Sequence, residues 1–119
     1  MNKVQASLYV HVPFCVHKCG YCDFNSWGET RREPQELWLQ ALSRQVTFWS
    51  KNITSSNIEF STVFFGGGTP SLLADDLLLQ AAHLIRNSFS FSGDAEWTIE
   101  CNPETLTPQK IASLEAATF

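Results

Sequence analysis

The regular alternation of strand-like and helix-like segments is the feature that most constrains how this 119-residue chain can fold. A strand followed by a helix and another strand forms a right-handed crossover, and repeated crossovers build a parallel sheet. The order β-α-β-α-β-α therefore predicts an α/β fold. The predicted strands cover residues 7–12, 61–65 and 96–101, and the predicted helices cover 33 to about 51, 75–87, and a third that begins after Thr107 and runs almost to the end of the chain.

Three unusual segments follow the predicted strands directly. They are a cysteine-rich run after Pro13, which is predicted to be a loop, a glycine run from Gly66, and the end of the third strand at Glu100. Ligand sites of parallel α/β folds gather where strands end and helices begin. We therefore expect the three segments to meet on one rim of the sheet. Three βα units make only an open half of a barrel, so we also expect an exposed edge on the last strand.

Composition restricts the class of protein. The chain is 44% hydrophobic and 17% charged, which is typical of a folded globular domain. Its net charge of −4, without a basic cluster, argues against a nucleic-acid partner. We find no membrane span and no signal-peptide pattern, so we expect a cytoplasmic protein whose clustered thiols stay reduced.

Cys15, Cys19 and Cys22 form the pattern C-x3-C-x2-C. Three thiolates this close can hold three corners of a four-iron cluster and leave one iron without a protein ligand. A metal with an open coordination position binds and activates small molecules, whereas a fully ligated metal does not. The spacing therefore favours an iron–sulfur cluster of the reactive kind.

Other interpretations of the cysteines stay open. A zinc site would need His11 or His17 as its fourth ligand, but structural zinc sites usually pair two ligand couples, and a second couple is missing. A thiol redox site built on Cys19 and Cys22 would leave Cys15 without a role.

The run at residues 66–70, Gly-Gly-Gly-Thr-Pro, lets backbone approach a ligand closely and offers amide and carbonyl groups to an amine or a carboxylate. A tight turn into a helix explains it equally well. Glu100 can accept hydrogen bonds from a ribose or an ammonium group, with a solvated strand-end carboxylate as the alternative.

Four further residues have weaker signals. Tyr9 and Tyr21 flank the cysteines and can pack on an adenine or shield a cluster from water. Cys101 is expected to be a small buried residue. His83 is expected to be a helical surface or core residue rather than a ligand.

Residues 8–15, followed by the two remaining cysteines, resemble the radical S-adenosylmethionine (SAM) superfamily, and in particular the oxygen-independent coproporphyrinogen III oxidase-like proteins. Residues 66–73 and 99–103 also resemble that family, in the same order and spacing, so the resemblance runs from about Leu8 to Ala117. The oxidases carry a further cysteine where this chain has Phe24, and the run at 22–26 looks like the haem chaperone (HemW) branch. Cys101 stands where that branch usually has alanine.

The resemblance implies a partial (βα)6-type barrel, with residues 1–119 as the N-terminal part of a radical SAM core domain. It implies haem or a porphyrinogen as ligand, a haem-acceptor protein and an electron-donor protein as partners, and either a haem chaperone or a coproporphyrinogen oxidase as function. It implies a [4Fe-4S] cluster on Cys15, Cys19 and Cys22, with SAM chelating the fourth iron and contacting Tyr9, Tyr21, Gly67, Gly68, Thr69 and Glu100.

Overall fold

The computed structural model describes residues 3–15, 27–28, 31–53 and 57–119. Short 3-10 helices at Pro70–Leu72 and Pro103–Thr105 follow the second and third long strands. The strands are β1 (Val4–Val12), β2 (Phe14–Cys15), β3 (Trp27–Gly28), β4 (Ile58–Gly67) and β5 (Phe91–Ile99), and the helices are α1 (Arg32–Ile53), α2 (Asp75–Ser88) and α3 (Pro108–Ala116).

The long strands form one parallel sheet in the order β1-β4-β5. This confirms the predicted α/β fold with crossover helices. Tyr9 pairs with Phe64, and Phe64 pairs with Thr98, so the three strands end close to one another. A separate two-residue parallel pairing joins β2 to β3.

The core lies on one face of the sheet. Val10 and Phe65 are at most 4% exposed and belong to the same apolar cluster as Leu78 and Ile85 of α2. Successive side chains of a strand point to opposite faces. Tyr9 and Phe64, which alternate with Val10 and Phe65, are accordingly exposed on the face that does not carry this core.

The structure extends all three long strands at their amino ends, and β1 begins at Val4 rather than at residue 7. β4 begins at Ile58 rather than at residue 61, and β5 begins at Phe91 rather than at residue 96. Between the paired residues Phe60–Phe91 and Thr62–Glu96 the register shifts, so the early part of β5 bulges. Its Ser-Gly-Asp segment at 92–94 has the composition of a turn, which hides the strand in the sequence.

The helices agree more closely with the sequence pattern. α2 ends one residue later than predicted, and α1 extends to Ile53, which is two residues later. Thr107 is the N-cap of α3 as expected, since its side chain accepts a hydrogen bond from the Lys110 amide at 3.0 Å. The sequence also predicts a polar connection at residues 52–57, but α1 includes residues 52 and 53, and residues 54–56 lie outside the described residues.

The amino ends of the helices are tied to one another near the rim. Arg32 of α1 donates two hydrogen bonds to the Asp76 carboxylate of α2, at 3.0 and 2.6 Å. The buried Gln35 side chain accepts from the amide of Ala74, the N-cap of α2. Lys110 of α3 pairs with Asp75 at 2.6 Å and also donates to the Leu73 carbonyl.

A candidate cofactor site at the carboxyl ends of the strands

The glycine run passes so close to β1 that side chains do not fit. Gly67 ends β4 with a φ of 112°, a conformation that favours glycine. A Cβ on Gly67 would lie 2.7 Å from the His11 ring. A Cβ on Gly68 would overlap the backbone of Phe14. The glycines are therefore required by local packing, and they leave main-chain groups at the rim.

Backbone hydrogen bonds continue beyond β1 and β4 into the segment that carries the first cysteine. The Gly68 amide donates to the Val12 carbonyl at 2.7 Å, and the Thr69 amide donates to the Phe14 carbonyl at 2.6 Å. Cys15, the next residue, is half-buried in β2. The loop prediction for the cysteine run is therefore wrong at Cys15, because a two-residue strand pairing has almost no sequence signal.

Glu100 links the third strand end to the glycine run. Its amide donates to the Phe65 carbonyl at 3.0 Å, and its Oε1 accepts from the Gly67 amide at 3.1 Å. The residue is otherwise exposed, so its carboxylate remains at the surface of the rim. A shallow open depression lies here, lined by Gly68, Thr69, Glu100, Cys101, Asn102 and Pro103.

Tyr9 lies beside the same rim, on the face of the sheet that the described helices leave uncovered. Its hydroxyl is hydrogen-bonded to His11 Nδ1 at 3.0 Å, and its ring stacks on Phe64 with centroids 6.2 Å apart. Partial burial raises the pKa of Tyr9, and the nearby negative charge of Glu100 raises this pKa further. Tyr9 therefore presents a neutral phenol at physiological pH.

The structure adds residues that the sequence patterns did not single out. The Trp38 indole of α1 donates to the His11 carbonyl at 2.9 Å and so holds the carboxyl end of β1 against α1. His11, considered above only as a zinc ligand, contacts Tyr9. Phe64 supplies an aromatic surface next to Tyr9. An alternating strand pattern places such residues on a face, but it does not say which of them meet across strands.

A second prediction at the rim is wrong. Cys101 is exposed rather than buried, because β5 ends at Ile99 and Cys101 lies in the segment after it. His83 is a surface residue of α2, which is one of the two positions expected for it.

The three predicted metal ligands are only partly described. Cys15 is seen, whereas Cys19, Cys22 and Tyr21 lie outside the described residues. Within the described ranges, the His, Cys, Asp and Glu side chains form no group of three that could hold a metal ion. The described helices also include none that is long and apolar enough to cross a membrane.

The chemistry of the described rim suits an amino-acid-bearing nucleoside. The backbone of Gly68 and Thr69 lines the open depression at the rim. Beside it lie an acceptor carboxylate, Glu100, and an exposed aromatic ring, Tyr9. A carboxylate binds ribose hydroxyl or ammonium groups, and an aromatic ring packs on a base. The residues present therefore fit the cofactor that the sequence resemblance implies.

Comparison with known proteins agrees with this description. The sequence profile of the radical SAM superfamily matches residues 9–119. Proteins named "Heme chaperone HemW" are similar, at 36% identity over 94% of this chain for Mycobacterium tuberculosis and 35% over 93% for Escherichia coli. The solved structure described as "Coproporphyrinogen III oxidase (HemN) from Escherichia coli" matches with a TM-score of 0.86 at 30% identity, covering 95% of this chain and 26% of that one.

The chain belongs to the radical SAM superfamily, since the profile matches almost its entire length. Its similarity is to the haem chaperone and coproporphyrinogen oxidase members of that family. It spans 29% of the length of the M. tuberculosis and E. coli relatives.

Proposed function

We propose that this chain is the cluster- and SAM-binding part of a HemW-like haem chaperone. The observation that carries the proposal is the meeting of three sequence motifs on one rim. The Gly67 amide bonds to the Glu100 carboxylate, and the neighbouring Thr69 amide bonds to the residue before Cys15. The names of the similar HemW proteins support the choice of branch.

In this proposal Cys15, Cys19 and Cys22 hold a [4Fe-4S] cluster. When bound, the cluster supplies one electron to the sulfonium of SAM. The chain binds and orients SAM: main-chain groups of Gly67, Gly68 and Thr69 contact its polar end, and Glu100 accepts hydrogen bonds from it.

Two tyrosines complete the proposed site. Tyr9 offers a neutral hydroxyl and an aromatic ring on the uncovered face. We assign to Tyr21 the role of shielding the cluster from water. Clustered thiolates of this kind require a reducing compartment, so the proposed location is the cytoplasm.

Haem is the proposed ligand, a haem-acceptor protein the proposed recipient, and a reducing protein the proposed electron source. The second candidate is an oxygen-independent coproporphyrinogen oxidase, which the match to the HemN structure favours. Phe24, in place of the further cysteine of the oxidases, argues for the chaperone. A zinc-binding module is the third candidate, because zinc also binds thiolates.

One experiment separates the first two candidates. The anaerobically reconstituted protein is titrated with hemin, and in parallel it is incubated with SAM, a reductant and coproporphyrinogen III. We expect saturable changes in hemin absorbance and no protoporphyrinogen. Protoporphyrinogen formation that is lost in Cys19→Ser would contradict the chaperone and establish the oxidase. Failure to bind hemin would also contradict the chaperone.

A further inference from the structure

A pair of hydroxyl groups, one on a fully buried residue and one on a partly buried residue, lies beneath the rim. Ser71 is fully buried, and its Oγ is 2.5 Å from Oγ1 of Thr105. Ser71 belongs to the 3-10 helix that follows the glycine run, whereas Thr105 belongs to the 3-10 helix that follows Glu100. The pair therefore connects the two segments that line the depression, across 34 residues of sequence.

The direction of this connection follows from counting protons. The Thr105 hydroxyl donates to the Asn102 carbonyl at 2.8 Å. Since a hydroxyl has a single proton to donate, the proton between the two hydroxyls must come from Ser71. Ser71 thus donates to Thr105, and Thr105 donates to Asn102.

Asn102 is held by further bonds at the end of this series. Its carbonyl also accepts from the Thr105 amide at 2.9 Å, and its Oδ1 accepts from the Glu104 amide at 3.0 Å. Asn102 follows Glu100 by two residues and lines the same depression as Gly68 and Thr69. The position of Asn102 therefore limits where the Glu100 carboxylate can lie.

We propose that Ser71 and Thr105 are positioning residues for SAM. At the surface of the rim, the end of β4 is joined to the segment after β5 by the bond between the Gly67 amide and the Glu100 carboxylate. Beneath the rim, the hydroxyl pair fixes the same separation, with Ser71 fully buried and Thr105 partly buried. Ser71 acts through its neighbours, because a fully buried side chain does not touch the ligand. This inference rests on the function proposed above.

The test compares variants that remove or keep the hydroxyl at nearly constant shape. Thr105→Val and Ser71→Ala remove one partner each, whereas Thr105→Ser keeps the hydroxyl. Ser88→Ala is the control, because it removes a partly buried hydroxyl that bonds within α2 instead of at the rim. Each protein is reconstituted anaerobically, and its iron content, melting temperature and Kd for SAM are measured.

We expect Thr105→Val and Ser71→Ala to raise the Kd for SAM about tenfold, corresponding to the loss of one hydrogen bond. Thr105→Ser and Ser88→Ala should bind SAM like the wild type, and iron content should stay unchanged throughout. The double variant Ser71→Ala with Thr105→Val should be no weaker than either single variant, because both remove the same interaction.

The inference is overturned if Thr105→Val and Ser71→Ala lower the melting temperature as Ser88→Ala does but bind SAM with wild-type affinity. In that outcome the pair serves packing alone, and the proposed function stands. A wild-type protein that binds neither cluster nor SAM overturns the proposed function, and this inference with it.

Discussion

At the scale of single residues, the site depends on places where a side chain is excluded or required. Gly67 has a positive φ, and its amide contacts Glu100. The glycine run and Glu100 could be singled out from the sequence, because their residue types and their positions after predicted strands indicate ligand contacts. The Ser71–Thr105 pair was not, since an interaction between residues far apart in sequence leaves no local pattern.

Replacing Gly67 with alanine should weaken SAM binding by at least about tenfold. Strain at its positive φ is worth about 1–3 kcal/mol, and the added Cβ would press on the His11 ring 2.7 Å away. Iron content should be preserved, because none of the three cysteines is changed. Calorimetric titration with SAM and iron analysis measure the two effects.

Gly93→Ala is the matched control, since a Cβ there meets no atom within 4 Å. It should bind SAM like the wild type. Equal SAM affinity in both alanine variants would contradict a role of the glycine run in SAM binding.

At the scale of helices and strands, the carboxyl ends of the long strands, which lie at the rim, were easier to predict than their amino ends. Proline, glycine and the Thr107 cap mark the rim ends in the sequence. The opposite end of β5 was missed, because Phe91 is separated from the clear strand signal by a bulge. Ion pairs between helix starts, such as Lys110 with Asp75, also depend on tertiary packing and have no local signal.

The Lys110–Asp75 pair should make stability depend on pH. The hydrogen bond from Lys110 lowers the pKa of Asp75, while partial burial opposes the shift. A carboxyl whose folded pKa is depressed stabilises fully above its unfolded pKa of about 3.9, and this contribution is lost as pH falls through the folded value. Asp75→Asn should therefore lower the free energy of unfolding at pH 7 by about 1–3 kcal/mol.

Urea denaturation from pH 7 down to pH 3 measures this effect, and the difference from wild type should shrink below about pH 4. Asp76→Asn is the control, because it removes a charge from the same first turn of α2 but breaks an ion pair with Arg32 in which both side chains are exposed. Asp76→Asn should lower the free energy of unfolding by only about 0–1 kcal/mol. A difference for Asp75→Asn that stays constant across this pH range would contradict the assignment.

At the scale of the whole molecule, helices cover one face of a three-stranded parallel sheet, and Tyr9 and Phe64 are exposed on the other. The parallel α/β fold was predicted from the alternation of elements, and the likeness to the HemN structure confirms it. The side chains of the uncovered face were not predictable as a group. Their register depends on the shift between Ala6 and Ser7, which the sequence does not mark.

The proposed cluster site is tested most directly by metal analysis with electron paramagnetic resonance after anaerobic reconstitution. We expect about four irons and four sulfides per chain, with a reduced-cluster spectrum that changes when SAM is added. Cys19→Ser should lose the cluster, whereas Cys101→Ser, at an exposed thiol on the same rim, should keep it. One zinc without sulfide, or a full cluster retained in Cys19→Ser, would contradict the assignment of a [4Fe-4S] cluster to the three cysteines.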